Sequence, residues 1–294
     1  MTYSAVALGN FDGVHKAHAK LIKKTVAAAK KNNLKSIVYT FEEHPSKILF
    51  GESVKQIITN GQKRELIKNL GADEVFFEKT VPEVLNLSAE DFFVRLLCRR
   101  FNAKFVAAGY NYTFGKGAEG NAEVLRRLGE KYGVRVYIMP EERFDGGSIS
   151  SSAVRAALLS GDIKTANSLL GYEYTVRGEV EHGKALGGRL GFKTANVLPS
   201  PDILLPENGV YKTKTCVRGR VYKSITNVGT NPTVEKAQRR TETNIFDFDS
   251  DIYGETIDIV FLGKIRDEIK FDNVSELTAQ IKKDKKIWKE SDIV

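Results

Sequence analysis

Two of the chain's four histidines, His15 and His18, stand three residues apart in the segment Gly9-Asn10-Phe11-Asp12-Gly13-Val14-His15-Lys16-Ala17-His18. An apolar run precedes this segment and helical spacing follows it, so both histidines are predicted on one face of a first helical turn. Glycines there let the backbone approach a ligand, and a helix N-terminus offers N–H groups to an anion. Two imidazoles at that position can stabilise charge on a leaving pyrophosphate. By itself, an H-x-x-H pair is more typical of a packed or capping histidine.

A second group of phosphate-binding side chains is predicted near residue 150. The run Ser150, Ser151 and Ser152 begins a helical stretch, and Arg155 follows on the same face. Serine hydroxyls can cap a helix or bind phosphate oxygens, and a guanidinium can bridge two such oxygens. Ordinary capping explains the serines equally well. Only together with the histidine pair do they favour a second phosphate clamp.

A third candidate is the glycine-rich stretch from Gly178 to Gly191. A backbone this flexible can wrap phosphates with its N–H groups, although a plain hairpin connection is an equally good explanation. The residues predicted to bind nucleotide there are Gly183, Lys184, Gly187, Gly188, Arg189 and Gly191.

The elements that must position these side chains change in character near residue 171. Before it, five β-branched or apolar runs alternate with helical patterns, which predicts a doubly wound α/β fold with a parallel sheet. The predicted strands are Tyr3 to Leu8, Ser36 to Phe41, Glu74 to Phe77, Lys104 to Ala108 and Arg135 to Met139. Two short helices, Ala153 to Leu159 and Ile163 to Leu170, close this half.

The second half is predicted to be a small β-barrel with a C-terminal helix. Glycine-punctuated short runs such as Tyr174 to Val180, Val210 to Val217, Val221 to Val228 and Thr256 to Phe261 are typical of strands. Helical spacing returns from Val274 to Lys289. We therefore predict two domains, 1–171 and 172–294.

Composition restricts the class of protein. Of the Lys and Arg residues, 25 lie in residues 1–171 against 18 Asp and Glu, whereas the second half is nearly balanced, 20 against 19. The basic excess suits a polyanion such as ATP, but no basic run is interleaved with aromatics, so nucleic acid is not an expected partner. Cys98 and Cys216 lack metal or redox spacing, and no apolar run approaches a membrane span. A soluble, cytoplasmic protein is expected, with its oligomeric state left open.

The N-terminal motifs resemble those of bacterial bifunctional riboflavin kinase/FMN adenylyltransferases. G-x-F-D-G-V-H with His18, Thr40-Phe41-Glu42-Glu43-His44-Pro45, Gly109 to Gly115 and Ile149 to Arg155 carry the resemblance. It implies that ATP and FMN give FAD and pyrophosphate, with His15, His18 and Arg155 catalytic. The nucleotide-binding residues it implies are Gly9, Phe11, Asp12, Gly13, Ser150, Ser151 and Ser152. Those implied for flavin binding are Phe41, His44, Pro45, Asn111 and Phe114.

The C-terminal half is similar to riboflavin kinases, which make FMN from riboflavin and ATP. Thr194-Ala195-Asn196 resembles their metal and phosphate segment, and its hydroxyl and amide oxygens would be hard ligands for Mg²⁺. Glu242 matches the carboxylate expected to take a proton from the ribityl hydroxyl. Arg266 and Asp267 match positions near the flavin.

Two departures from the family pattern are visible. Ala17 replaces a glycine between the histidines; alanine is a better helix former, so both histidines should keep their places while room for adenosine shrinks. Lys193 replaces a proline and loosens the segment before Thr194. A monofunctional adenylyltransferase with an inactive kinase-like domain and a non-catalytic flavin-responsive protein therefore stay open as alternatives.

The substitution Lys193→Pro tests the second departure. We expect the rate of riboflavin phosphorylation to rise, because positioning accounts for much of phosphoryl-transfer catalysis, while adenylyl transfer is unchanged. Both rates are measured with purified protein, ATP and Mg²⁺. No FMN from either protein would indicate a dead kinase domain, and an unaltered rate would show that the lysine is neutral.

Overall fold

A computed structural model describes residues 2–43, 51, 54–181, 194–230, 239–271 and 273–290 of the chain. Several predicted site residues lie outside these ranges: His44, Pro45, Gly183, Lys184, Gly187, Gly188, Arg189, Gly191 and the substituted Lys193.

Contacts divide the chain into two compact units, Met1–Ser151 and Ser152–Val294. The two short helices before residue 171 therefore group with the second unit. The Asn167 side chain accepts the Tyr174 N–H at 2.7 Å and donates to the Phe261 carbonyl at 3.0 Å, both within the barrel unit. The proposed domain boundary at 171/172 stays a prediction.

The first unit contains a parallel sheet whose described strands follow the order β3-β2-β1-β4-β5. The strands are β1 (Ser4–Leu8), β2 (Lys35–Phe41), β3 (Glu74–Glu78), β4 (Ala103–Gly109) and β5 (Arg135–Met139). All five residues of β1 are buried, as expected for a central strand covered on both faces. The predicted doubly wound fold is confirmed. Because β1 pairs with both β2 and β4, the strand order reverses there, and ligands bind at such reversals.

Helices cover the sheet, and several begin at side-chain caps. They are α1 (Lys16–Lys31), α2 (Asn60–Asn69), α3 (Pro82–Leu85), α4 (Ala89–Asp91) with a π-helical continuation (Phe92–Arg100), and α5 (Ala122–Tyr132). Thr59 and Gln62 cap α2 reciprocally, and Asn121 caps α5, which ends at Gly133 in the left-handed conformation. A short hairpin, β6 (Arg143–Phe144) with β7 (Gly147–Ser148), follows β5.

The second unit begins with α6 (Ser151–Leu159), whose first residue is counted with the first unit, and α7 (Ile163–Leu170), and then forms a closed barrel. Its described strands are β8 (Thr175–Glu181), β9 (Thr194–Pro199), β10 (Gly209–Val217), β11 (Arg220–Thr230), β12 (Arg239–Ile245) and β13 (Thr256–Arg266). The strands β9 and β12 were not predicted because neither contains a strong apolar run: β9 reads T-A-N-V-L-P and β12 reads R-R-T-E-T-N-I.

The barrel interior is lined in part by hydroxyl groups rather than by apolar side chains alone. Thr213 bonds to Ser224 at 2.8 Å and to Thr226 at 2.9 Å, and Thr226 bonds to Thr243 at 2.9 Å, all four residues being 0% exposed. Each hydroxyl thus replaces, through a hydrogen bond, the water that its neighbour loses on burial. Consequently the polar residues that alternate with them on β11 and β12 point away from the interior.

The C-terminal helix α8 (Val274–Glu290) packs on the outside of the barrel. Trp288 is buried against Val210, Ile225 and Phe246, and its indole N–H donates to the Ser224 carbonyl at 2.8 Å. Within the described ranges, none of the helices combines the length and apolar character that crossing a membrane requires.

Two helical glycines of the first unit make a matched pair. A Cβ at Gly129 would overlap the Val136 side chain and lie 2.7 Å from the Val134 carbonyl, whereas at Gly61 its nearest neighbour would be 3.8 Å away. We expect Gly129→Ala to destabilise the unit by roughly 1–3 kcal/mol through overpacking. Gly61→Ala should instead stabilise it by up to about 1 kcal/mol through helix propensity. Urea unfolding followed by far-ultraviolet circular dichroism measures both; equal effects would contradict this packing.

Candidate functional site

The loop that follows β1 is held in an unusual backbone conformation. Phe11, Gly13 and Val14 all have positive φ angles, of 48°, 78° and 38°. The Phe11 ring folds back over Gly9, where a Cβ would lie 3.0 Å from its Cζ atom, so a side chain at residue 9 would require the ring to shift. A strained loop of this kind at a sheet reversal is typical of a ligand site.

His15 is the N-cap of α1. Its Nδ1 accepts a hydrogen bond from the backbone N–H of His18 at 3.3 Å, so the proton of the neutral ring lies on Nε2. The two imidazoles stack with centroids 3.6 Å apart, and the Phe11 ring meets His18 edge-on at 5.1 Å. Ala17, which lies between them in sequence, is buried. The predicted juxtaposition of the two histidines is therefore present.

Both histidines are neutral at pH 7. Burial lowers the pKa of His15 to about 4. Burial also lowers the pKa of His18 well below its usual value, helped by repulsion from His15 when that ring is protonated and from the Lys63 ammonium. The His18 Nδ1 is buried without a hydrogen-bond partner among the described residues. A neutral pair can donate N–H groups to an anion without the cost of burying two cations.

Asp12, predicted to bind nucleotide, ties the loop to its surroundings. Its Oδ1 accepts the Ile57 N–H at 2.9 Å, and its carbonyl accepts the Ser151 hydroxyl at 2.8 Å. The Ser151 hydroxyl proton is thus used in a hydrogen bond to the loop. This serine, the first residue of α6, therefore helps to fix the position of the loop. Gly13 and Phe11 likewise shape the loop through their backbone.

Sequence reasoning missed Lys63, which is only 3% exposed. Its Nζ donates to the Asn10 carbonyl at 3.1 Å, and the Thr40 hydroxyl donates to the same oxygen at 2.9 Å. Thr59 and Gln62 have the T-x-x-Q spacing of a capping box, which predicts a helix that starts just before Lys63, but this spacing does not predict the contact between Lys63 and Asn10.

The remaining phosphate and flavin candidates are more scattered. Ser150 is partly buried just before α6; on the helix, Ser152 is exposed and Arg155 is partly buried, three residues apart on one face. Phe114 is buried in the hydrophobic core beside Phe92, which gives a flavin-binding role for its ring no support. Phe41 is half-buried at the end of β2, and Asn111 is exposed.

An open cavity of about 380 Å³ lies at the carboxyl ends of β2 and β3. Its lining includes Glu42, Asn60 and Phe77, and the Arg64 guanidinium lies over the Phe77 ring at 4.8 Å. The volume is within the range of small-molecule sites.

In the barrel unit, Thr194, Asn196 and Glu242 lie together on two paired strands. The Thr194 hydroxyl donates to Glu242 Oε1 at 2.7 Å, and Asn196 is the register partner of Glu242. Glu242 is exposed whereas its neighbours Thr241 and Thr243 are buried, so the group faces outward. Within the described ranges no three His, Cys, Asp or Glu side chains cluster as metal ligands. The hydroxyl, amide and carboxylate oxygens fit Mg²⁺, which is usually held by few protein oxygens together with substrate phosphates.

A polar network beside this group was also missed. Glu268 accepts hydrogen bonds from Asn208 at 3.1 Å and Asn227 at 3.5 Å, and Asn208 accepts from Arg239 Nε at 2.9 Å. Asn227 is also the register partner of Glu242 on β11. The network thus joins the candidate base to the loop before β10.

Arg266 and Asp267 have structural partners. Arg266 forms a bidentate ion pair with Asp284 of α8, with N–O distances of 2.9 Å and 3.1 Å to the same carboxylate. Asp267 is exposed and pairs with Lys264 at 2.6 Å. The structure thus gives Arg266 an anchoring role, and a flavin contact for either residue stays a prediction.

Comparison with known proteins bears on both units. A family model described as FAD synthetase matches residues 2–153, and one described as riboflavin kinase matches residues 170–291. The helices α6 and α7 fall almost entirely between the two matches.

Curated relatives and a solved structure cover nearly the whole chain. Bifunctional riboflavin kinase/FMN adenylyltransferases of Bacillus subtilis and Escherichia coli K12 are 37% and 34% identical over 96% and 95% of the chain, and over 90% of each relative. A crystal structure described as a macrolide-efflux protein from Streptococcus pneumoniae is 34% identical, with a TM-score of 0.90 over 98% of this chain and 95% of that one. Each half of the chain matches one family model, and the curated relatives carry both halves in one chain. The chain therefore belongs to the family of bifunctional riboflavin kinase/FMN adenylyltransferases.

Proposed function

We propose that this enzyme makes FAD from riboflavin in two ATP-dependent steps, with the first unit transferring AMP to FMN and the barrel unit phosphorylating riboflavin. The observation that carries the proposal is the stacked, neutral histidine pair at the start of α1, where the sheet order reverses. Neutral imidazoles there, next to the N-terminal N–H groups of a sixteen-residue helix, suit the triphosphate of ATP.

In adenylyl transfer, a phosphate oxygen of FMN attacks the α-phosphorus of ATP, and the bond to the β-phosphate oxygen breaks to release pyrophosphate. The His15 and His18 N–H groups would donate to the phosphate oxygens on which charge builds. His15 is suited to this because capping leaves its Nε2 proton for a ligand. The family resemblance assigns a further phosphate clamp to Arg155, Ser152 and Ser150.

In the kinase step, the ribityl hydroxyl oxygen attacks the γ-phosphorus of ATP and ADP leaves. Glu242 would take the hydroxyl proton, with Oε1 oriented by Thr194. Thr194 and Asn196 would hold Mg²⁺, which neutralises phosphate charge when bound.

The alternatives are less well supported. The relatives' names include both activities, and the oxygen group at Thr194, Asn196 and Glu242 is intact, which favours an active kinase over a silent one. The S. pneumoniae structure is described as an efflux protein, a description that neither the family models nor the curated relatives share. A cytoplasmic location belongs to the proposal as well, since Cys98 and Cys216 are free thiols.

The first test is formation of FAD and pyrophosphate from FMN, ATP and Mg²⁺. We expect His18→Ala to lower the rate by about a hundredfold or more, because one positioned donor to developing charge is lost. Lys23→Ala, an exposed change on the same helix, is the matched control. FAD formation by His18→Ala at the parent rate would show that the site is misassigned.

The second test concerns pH. The pKa of His15 is lowered to about 4 in the native state. Between pH 6.5 and 4, His15 therefore binds a proton in the unfolded chain but not in the native state. The free energy of unfolding is therefore not reduced by His15 above pH 6.5, and it falls by about 3 kcal/mol in total as the pH drops from 6.5 to 4. His15→Asn keeps a capping side chain without titrating, so it should lose less stability. Hydrogen-exchange protection of β1 amides at pH 7.5 and 4.5 measures the difference; parallel losses in both proteins would contradict it.

A further inference from the structure

We propose that Lys63 is a positioning residue for adenylyl transfer: its buried ammonium holds the Asn10 carbonyl and balances Asp12, so that ATP meets a loop without net negative charge. The inference rests on the proposed function of the histidine site and adds a group that no motif of the sequence indicated.

The first argument is geometric. Lys63 lies in the first turn of α2, and its side chain reaches the loop after β1, where Nζ is 3.1 Å from the Asn10 oxygen. Asn10 directly precedes Phe11, which has a positive φ and orients His18. A hydrogen bond at this carbonyl therefore acts on the backbone that carries Phe11 and, through it, on the His18 ring.

The second argument is the charge balance of the loop. Both histidines are neutral at pH 7, and among the described residues Asp12 and Lys63 are buried charged side chains that interact electrostatically at the loop. Asp12 is 5% exposed and Lys63 is 3% exposed, so water screens neither charge well. Without the ammonium, a buried carboxylate would face the triphosphate and oppose its binding.

The third argument is that burying a lysine ammonium costs free energy unless neighbouring groups stabilise its charge. Burial lowers the pKa of Lys63 to about 8, and the carboxylate of Asp12 opposes that shift. The Phe77 ring lies 5.8 Å from Nζ on another side. The ammonium is thus present at pH 7 and is lost just above pH 8, which gives the residue a signature that a packing role lacks.

The experiment compares the parent with Lys63→Met, Lys63→Arg and the control Lys68→Met, an exposed lysine of the same helix. For FAD formation we expect Lys63→Met to raise the KM for ATP at least about tenfold, with a smaller change in kcat. Lys63→Arg should stay within a few-fold of the parent and should not show the rise in KM that the parent shows above pH 8. Lys68→Met should behave like the parent.

The KM for ATP in riboflavin phosphorylation, measured on the same proteins, should be unchanged in all of them. A parent-like KM in Lys63→Met overturns the inference, as does a Lys63→Arg protein that is as impaired as Lys63→Met. Should Lys63→Met fail to fold, the pH dependence of Lys63→Arg decides alone.

A readout independent of turnover separates this inference from the proposed function. Removing a positive charge beside His18 should raise its pKa in Lys63→Met, seen by NMR titration of the ring, whereas Lys63→Arg keeps it low. A parent that makes no FAD would refute the proposed function while the titration still tests Lys63. An unchanged His18 pKa in Lys63→Met overturns the role of Lys63.

Discussion

The hydrogen bond from the His18 backbone N–H to His15 Nδ1 is the interaction on which the N-terminal site depends. It starts helix α1 at Lys16, it requires an unprotonated Nδ1, and it leaves the other ring nitrogen to carry a proton. One contact therefore sets the helix boundary, the tautomer and the donor direction together. A capping role and a ligand-binding role, which are usually alternatives for such a histidine, are compatible here because they use different nitrogens.

Hydrogen bonds to backbone carbonyls hold the loop in front of this helix. Asn10 accepts from Thr40 and Lys63, and Asp12 accepts from Ser151, so three separate segments hold two adjacent turns. Such bonding over-determines a conformation that contains two non-glycine residues with positive φ. Under the proposed function, this bonding would preorganise the phosphate donors, so that they need not reorganise during the reaction.

The proposed ATP site of the barrel is built in a different way. The barrel's interior hydroxyls satisfy one another, which leaves the outward-facing oxygens of Thr194, Asn196 and Glu242 available on neighbouring strands. Strand pairing rather than a helix terminus brings these groups together. Under the proposed function, hard oxygens of the barrel would bind ATP through Mg²⁺, whereas N–H groups at the start of α1 would contact phosphate oxygens directly.

The sequence by itself determined the class of both domains, the histidine pair and the Thr194, Asn196 and Glu242 group. Each of these rests on local spacing: the β-branched runs of the sheet, the three-residue separation of His15 and His18, and motifs confined to a few positions. Tertiary structure decided what depends on distant segments. Lys63 reaches Asn10 across 53 residues, Arg266 pairs with Asp284 of a later helix, and Phe114 is packed into the core. None of these follows from spacing, because burial and charge pairing arise only when the elements pack.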